Sequence, residues 1–149
     1  MATVPRWAVT NIKSYKNKIV DEAKKLGVSE RIVFTGPISE NDKQWYLVNC
    51  LAFAFPSLAE GFGAPVVEAM YFGKPVFLSD KTSLPEVGGD AAYYFKSFDP
   101  DAMKQVFEEG MAHYVHNNPR ERIKNRASSF SWDATAQHYL NIYRELSSA

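Results

Sequence analysis

Two carboxylates flank a glycine-rich turn near the middle of the chain. Glu60 precedes Gly61-Phe62-Gly63, and Glu68 follows in the helix that this turn is expected to start. Such a helix start binds anions, because its first backbone N–H groups lack partners within the helix and the helix dipole is positive there. Carboxylates would repel a phosphate, but they accept hydrogen bonds from hydroxyl groups. The segment therefore indicates a ligand with a diphosphate in the middle and a polyol at each end, which is a nucleotide sugar.

Each carboxylate has its own expected partner. Glu68 lies about one turn inside the helix, so its side chain should project back toward the helix start and accept two hydrogen bonds from a ribose diol. Glu60 stands before the turn and should accept hydrogen bonds from hydroxyl groups of the sugar, at the end of the ligand opposite the ribose. Gly61 and Gly63 carry no side chain that would obstruct a ligand. The amides expected to face the diphosphate are those of Phe62, Gly63 and Ala64.

Each of these residues also has a simpler interpretation when it is taken alone. Glu68 would complement the helix dipole, Gly61 and Gly63 would form an ordinary loop, and Glu60 would be a solvated surface residue. Their conjunction after an apolar strand favours the binding site over the separate interpretations.

Strand and helix signals alternate along the sequence and predict a parallel sheet with helices on both faces, a Rossmann-like three-layer α/β domain. The segment Leu51 to Phe55 is apolar throughout, which is typical of a strand covered on both faces. Pro65 fits the first turn of the next helix and Gly73 its end. Ligands of such sheets bind outside the carboxyl ends of the strands. The loops at that edge are 36–39, 56–63 and 79–83.

Polar caps and apolar stripes mark the remaining helices. Ser39 with Asp42 resembles a capping box, and Asp99 caps a long helix. Ser131 caps the last helix, expected over about 132–147 with an apolar side. The core stripe predicted for the long helix is Met103, Val106, Phe107, Met111 and Tyr114.

Composition limits the function classes. A chain of 149 residues favours one domain over 1–149. Seventeen basic residues balance seventeen acidic ones, which disfavours nucleic-acid binding. The longest apolar run, Cys50 to Pro56, is too short to cross a bilayer. The single cysteine, Cys50, cannot form an internal disulfide. We therefore expect a cytoplasmic protein with no transmembrane segment.

Other chemically active residues have structural interpretations. His113 and His116 are three apart on a helix, a spacing compatible with a metal, but no cysteine or carboxylate cluster supports one. Cys50 resembles a core thiol with nothing to activate it. Lys74 and Lys81 could meet a phosphate, but surface lysines are so common that the simpler interpretation is favoured for both.

Four segments together carry a resemblance to a known family. The pattern from Pro56 through Glu60-Gly61-Phe62-Gly63 to Glu68-Ala69-Met70, followed by Gly73-x-Pro75-Val76, resembles the donor-binding signature of family 4 retaining glycosyltransferases, which have the GT-B architecture of two Rossmann-like domains. The segments 31–36, 83–92 and 130–132 resemble its flanking pieces. The resemblance runs from about Tyr15 to the end of the chain.

The resemblance implies a role for each matching residue. Glu60 becomes the catalytic-site residue that contacts donor-sugar hydroxyls, and Glu68 contacts the ribose. The diphosphate or sugar meets the amides of Phe62, Gly63 and Ala64. The backbone around Gly36, Pro37 and Ile38 meets the base. The family needs no metal or other cofactor for this, and the donor itself is the nucleotide-diphosphate sugar.

Two departures from the family qualify this interpretation. The family's donor domain begins with a further strand–helix unit that carries an Arg and a Lys for the phosphates, and neither that unit nor the acceptor-binding N-terminal domain is matched here. We therefore expect a donor-domain fragment that transfers nothing alone. Its last helix would pack toward the missing partner domain and could mediate self-association. Two alternatives stay open: a noncatalytic nucleotide-binding or interaction module, and a glycosidase that uses Glu60 and Glu68.

Overall fold

The computed structural model describes residues 7–9 and 15–147. The chain divides into two compact units, Met1–Trp45 and Tyr46–Ala149. The described strands pair in parallel throughout, as predicted, and form one sheet of two strands and one of three. Helices lie on both faces of the three-stranded sheet, so the Rossmann-like α/β prediction is confirmed.

In the first unit, β1 (Trp7–Val9) pairs with β2 (Ile32–Phe34). Between them lies α1 (Lys16–Lys25), whose C-cap residue Leu26 is followed by Gly27. Gly27 has φ +67°, and the N–H of Val28 reaches back to the carbonyl of Ala23 over 2.9 Å. Gly27 thus forms the left-handed glycine ending that is common at the ends of helices.

The next helix, α2 (Glu40–Asn49), begins with the predicted capping box. The N–H of Asp42 donates to Oγ of Ser39 over 3.1 Å, and the N–H of Ser39 donates to Oδ2 of Asp42 over 3.3 Å. The two residues thus satisfy each other's exposed backbone donors.

The sheet of the second unit has the order β3 (Phe53–Phe55), β4 (Val76–Ser79), β5 (Tyr93–Phe95). All four residues of β4 are buried. The helices are α3 (Ala64–Tyr71), α4 (Leu84–Gly88), α5 (Pro100–Asn117), α6 (Arg120–Ser128) and α7 (Trp132–Ser147).

The two faces of this sheet are covered by different helices. On one face, Val76 and Leu78 of β4 join a core cluster with residues of α3, α4 and α6. On the other face, the ring of Phe77 packs against Phe107 of α5, with 4.8 Å between centroids. The predicted stripe on α5 is half-buried, and the one fully buried residue of that helix is Gly110. A Cβ on Gly110 would lie 2.6 Å from Cε1 of Phe77, so glycine permits the close approach of α5.

The prediction that the strand after Cys50 is covered on both faces is wrong. The strand begins at Phe53, Leu51 is exposed, and Ala54 in the middle of β3 is exposed. β3 is an edge strand of its sheet, and only Phe53 and Phe55 pack against the core cluster. Full burial belongs to β4, because β4 is the central strand and has packed helices on both faces.

Helix α7 has the predicted bounds and cap. The N–H of Ala134 donates to Oγ of Ser131 over 3.3 Å. Every residue of α7 is exposed, including its apolar side, and Trp132 is 90% exposed. None of the helices in the described part of the chain combines the length and the apolar composition that a membrane span requires.

Candidate functional site

The glycine turn forms the start of α3 at the carboxyl end of β3. Gly63 is the residue before the helix and has φ +91°, a backbone conformation that side-chain-bearing residues rarely adopt. Pro65 lies in the first turn, as predicted, and no side chain caps the amides of this described helix start. A Cβ at Gly63 would also lie 3.0 Å from Cδ2 of Leu84. The local sequence thus leaves an uncapped helix start at the end of the loop 56–63, which follows β3.

Glu60 is half-buried, and its backbone is held from the loop that follows β4. The N–H of Glu60 donates to Oγ1 of Thr82 over 3.1 Å. Oγ of Ser83 lies 3.3 Å from the carbonyl oxygen of Glu60 and 3.3 Å from that of Phe62. Two consecutive hydroxyls therefore fix the main chain on which the Glu60 carboxylate stands.

A buried serine connects the ends of β3 and β4. Ser79, the last residue of β4, is fully buried, and its Oγ donates to the carbonyl of Ser57. Ser57 donates in turn from its own Oγ to the carbonyl of Ala59 over 3.2 Å. The segment before the glycine turn is thereby attached to the central strand through main-chain atoms.

Glu68 lies in the second turn of α3, in the same unit as Glu60. It is half-buried, and its Oε2 lies below the accessible surface. Its neighbours Val66, Ala69 and Met70 are fully buried in the core cluster. The helix is therefore anchored by its apolar residues, and this anchoring fixes the position of Glu68 on α3.

An aromatic pair holds the turn from the side of α6. The rings of Phe62 and Phe130 meet edge to face, with 5.4 Å between centroids and 75° between planes. The guanidinium of Arg126 lies 4.9 Å from the centroid of Phe130. Nε of Arg126 donates to the carbonyl of Val87 over 3.0 Å, and Nη2 donates to that of Glu86. Arg126 thus connects the end of α4 to the ring that contacts the turn.

Sequence reasoning missed several of these supporting residues. Thr82, Ser83, Arg126 and the pairing of Phe130 with Phe62 received no role, although the loop 79–83 was predicted to lie at the ligand edge. A serine or threonine just before Leu84-Pro85 was the available signal. The contacts themselves span more than 20 residues in sequence, so local patterns could not reveal them.

Lys81 and Lys74 each contact an oxygen atom of this chain. Nζ of Lys81 lies 2.7 Å from Oδ1 of Asp80. The hydrogen bond from Lys81 lowers the pKa of Asp80 below its usual value. Nζ of Lys74 donates to the carbonyl of Cys50 over 2.9 Å. Both lysines set aside in the sequence therefore have partners within the chain.

The predicted base-contacting loop lies in the first unit. Gly36 follows β2 by two residues and has φ +64°. Oγ1 of Thr35 donates to its carbonyl over 3.1 Å. Pro37 is exposed and Ile38 half-buried. These residues occupy the carboxyl end of their own strand, as expected, and their contact with a base stays a prediction.

The remaining candidates have structural roles. Nδ1 of His113 and the hydroxyl of Tyr93 share a hydrogen bond of 2.8 Å. Burial raises the pKa of the Cys50 thiol, whose Sγ donates to the carbonyl of Leu47 over 3.4 Å. Within the described part of the chain, no group of three His, Cys, Asp or Glu residues could hold a metal ion.

The fold and the site together define a Rossmann-like α/β domain with a glycine turn and two glutamates at the start of one helix. The family model for glycosyl transferases group 1 matches residues 12–130. The chain belongs to this family.

The names of similar proteins agree with the assignment of the chain to this family. The chain is 41% identical over 135 residues to the alpha-1,3/1,6-mannosyltransferase ALG2 of Dictyostelium discoideum. This alignment covers 87% of the chain and 31% of ALG2. Over 116 residues, the chain is 33% identical to the O-antigen chain mannosyltransferase B of Escherichia coli, covering 77% of the chain and 30% of the relative. The chain thus spans about a third of the length of these two relatives.

Solved structures share the fold at low identity. Sucrose-phosphate synthase from Thermosynechococcus elongatus superposes with a TM-score of 0.78 at 20% identity, over 95% of the chain and 38% of the synthase. The HepE protein of Anabaena in complex with UDP-glucose superposes with a TM-score of 0.71 at 20% identity, over 97% of the chain and 41% of HepE. These likenesses show that the chain shares its Rossmann-like α/β fold with these proteins.

Proposed function

We propose that the chain is the donor-binding domain of a retaining, family 4 glycosyltransferase that transfers a hexose, of which mannose is the first candidate, from a nucleotide-diphosphate sugar to an acceptor hydroxyl. The observation that carries the proposal is the uncapped start of α3 between Glu60 and Glu68. The mannosyltransferase names of the relatives support the sugar. The UDP-glucose complex of one structural neighbour supports the class of donor.

The chemistry of the ligand follows from the order of groups along this segment. The backbone amides at Phe62, Gly63 and Ala64 would receive the diphosphate, because the helix start offers donors and a positive dipole end. Glu60 would accept hydrogen bonds from the sugar hydroxyls and orient the sugar. Stabilisation of charge on the departing diphosphate would lower the barrier to transfer.

Glu68 would accept hydrogen bonds from the ribose diol. Core packing of Val66, Ala69 and Met70 holds α3 in place, so a ribose contact at Glu68 needs little reorganisation of the helix. The backbone of Gly36, Pro37 and Ile38, in the first unit, stays the predicted contact of the base. No metal or other cofactor enters this arrangement.

The acceptor side belongs to a partner domain in this proposal. The match covers only about a third of each of these two relatives, and catalysis would require the cleft between the two domains. The isolated chain would bind donor weakly and transfer nothing. We also propose a cytoplasmic location for the parent enzyme, at or near the inner face of a membrane. The single cysteine is compatible with a reducing compartment.

Helix α7 would be the element that meets this partner domain. Its apolar residues at positions 132, 136, 139, 143 and 146 recur at alternating intervals of four and three, and all are exposed. Such a seam is typical of a helix that packs against another helix. In the chain alone, the same seam would promote self-association, which sedimentation velocity over a concentration series would reveal.

Calorimetric titration tests the donor site with two probe pairs, GDP-mannose with GDP and UDP-glucose with UDP. Glu60→Gln should weaken binding of the nucleotide sugar about tenfold and leave the matching nucleotide unchanged, because only the sugar would contact Glu60. Glu68→Gln should weaken both members of a pair. A charge-assisted hydrogen bond is worth about 1.5–3 kcal/mol, which corresponds to tenfold or more.

The matched control is Glu108→Gln, which removes an exposed carboxylate on α5, 3.9 Å from Lys104. It should leave every affinity unchanged. If wild-type protein binds none of the four probes, the proposal of a donor site in this chain is wrong. Equal losses of nucleotide and nucleotide sugar in Glu60→Gln would contradict the assignment of Glu60 to the sugar.

A further inference from the structure

Thr82 has a backbone conformation that its side chain disfavours. Its φ is +51°, in the left-handed region, where a β-branched residue is an outlier. Such strain persists only where the surrounding structure holds it, and it concentrates at functional sites. Thr82 is exposed, so burial of its side chain in the core does not account for its conformation.

What holds Thr82 is its contact with the glycine-turn segment. Oγ1 of Thr82 accepts from the N–H of Glu60 over 3.1 Å, although the two residues are 22 apart in sequence. The next residue, Ser83, has its Oγ 3.3 Å from the carbonyl oxygen of Glu60. The left-handed turn at Thr82 therefore brings two successive hydroxyls to the N–H and the C=O of a single residue.

We propose that Thr82 is a positioning residue for donor-sugar binding: its hydroxyl fixes the peptide unit of Glu60 and thereby the direction in which the Glu60 carboxylate leaves the main chain. The inference rests on the proposed donor site. Glycine would adopt the same backbone with less strain, but it has no hydroxyl. The strained threonine is thus explained by the bond that it makes to Glu60.

Three substitutions separate the hydroxyl from the backbone strain. Thr82→Gly relieves the strain and removes the hydroxyl, Thr82→Val keeps the strain and removes the hydroxyl, and Thr82→Ser keeps the hydroxyl without the β-branch. The matched control is Thr135→Val on α7, where Oγ1 donates locally to the carbonyl of Ser131 over 2.9 Å.

Binding of GDP-mannose, GDP, UDP-glucose and UDP is measured by calorimetry for each variant, together with Tm. Thr82→Gly and Thr82→Val should each bind the nucleotide sugar about tenfold more weakly, with the affinity for the matching nucleotide unchanged. Tm should fall in Thr82→Val and stay within a few degrees of wild type in Thr82→Gly. Thr82→Ser and Thr135→Val should bind like wild type.

A purely structural role predicts a different pattern, in which affinity follows Tm across the variants. Wild-type affinity for the nucleotide sugar in Thr82→Gly would therefore overturn the proposal. Hydrogen exchange of the Glu60 amide in ligand-free protein gives a separate readout. It should accelerate in Thr82→Val and Thr82→Gly, and unchanged exchange in both would also overturn the proposal.

Ligand binding by calorimetry and hydrogen exchange of the Glu60 amide together distinguish a failure of this inference from a failure of the proposed function. If wild-type protein binds none of the four probes, the donor site itself fails, and with it the functional part of the role of Thr82. Accelerated exchange at Glu60 in that case would leave Thr82 as a purely structural clamp, which counts against the positioning role.

Discussion

The ring of Phe130, just after α6, meets the ring of Phe62 edge to face across 5.4 Å. Phe62 belongs to the glycine turn, so this contact connects the turn to the helix that carries Arg126. Edge-to-face pairs contribute about 0.5–1.5 kcal/mol beyond the area that they bury. The turn is therefore stabilised by a residue almost 70 positions later in the sequence.

Phe130→Leu should lower the free energy of unfolding by about 1–2 kcal/mol, because it removes the aromatic pair and the stacking partner of Arg126. A double-mutant cycle with Phe62→Leu, measured by urea denaturation, should give a coupling energy of about 0.5–1.5 kcal/mol. Phe107→Leu with Phe62→Leu is the control pair, since Phe107 packs on the other face of the sheet against Phe77. The effects of Phe107→Leu and Phe62→Leu on the free energy of unfolding should be additive. A coupling energy in this control cycle as large as that between Phe62 and Phe130 would show that the latter does not report their direct contact.

Gly110→Ala should destabilise the protein by about 1–2 kcal/mol, although alanine is the better helix former by about 1 kcal/mol. The added Cβ would lie 2.6 Å from Cε1 of Phe77 and 2.9 Å from Cγ of Tyr93, and both rings are packed. Thermal and urea denaturation give the measurement. Gly61→Ala is the control for stability, because a Cβ there has no atom within 4 Å. A Gly110→Ala protein as stable as wild type would show that α5 can shift away from the sheet.

Tyr94 should make stability fall at alkaline pH. Burial raises its pKa to about 12, and its hydroxyl donates to the carbonyl of Gly89 over 2.7 Å. Because the folded pKa lies above the ordinary value of about 10, the stabilisation is complete below pH 10 and is lost between about pH 10 and 12. Urea denaturation across this range should show a smaller decline in Tyr94→Phe than in wild type. Parallel declines would exclude Tyr94 as the titrating group.

Asp80 should affect stability in the acid range, with the opposite dependence on pH. The hydrogen bond from Lys81 lowers the pKa of Asp80, so the stabilisation is present above the unfolded value of about 3.9 and is lost as the pH falls through the folded pKa. Asp80→Asn should therefore be less stable than wild type at pH 7, and the difference should shrink below about pH 4. Asp21→Asn, an exposed carboxylate on α1, is the control. A difference that stays constant from pH 7 to 3 would contradict the assignment.

The sequence was sufficient for features that depend on a few neighbouring residues. The ends of α1 and α3 follow from Gly27 and Gly73, and the start of α5 follows from Asp99, whose Oδ1 accepts from the N–H groups of Asp101 and Ala102. Parallel pairing and the helix start beside Glu60 were likewise predictable, because each has a local signal.

Features that depend on distant contacts were not predictable. The separation of the strands into two sheets and the exposure of Ala54 follow from which strands become neighbours. The left-handed backbone of Thr82 contradicts its own propensity and is held by Glu60, which lies 22 residues away. Local patterns indicate which backbone conformation a residue prefers. At Thr82 the long-range contact with Glu60 outweighs that preference.

The hydrogen bonds that hold the segment before and within the glycine turn have a consequence for which of its side chains can vary. Ser79 and Ser83 donate to carbonyl groups of the segment 57–62, and Thr82 accepts from an N–H of the same segment, so all three contact main-chain atoms. Leu58 and Ala59, which lie within the segment, are exposed. Side chains at these two positions can therefore be exchanged while the loop keeps its path. A change of side chain at either position would alter the surface of the loop and leave the hydrogen bonds that hold its main chain in place.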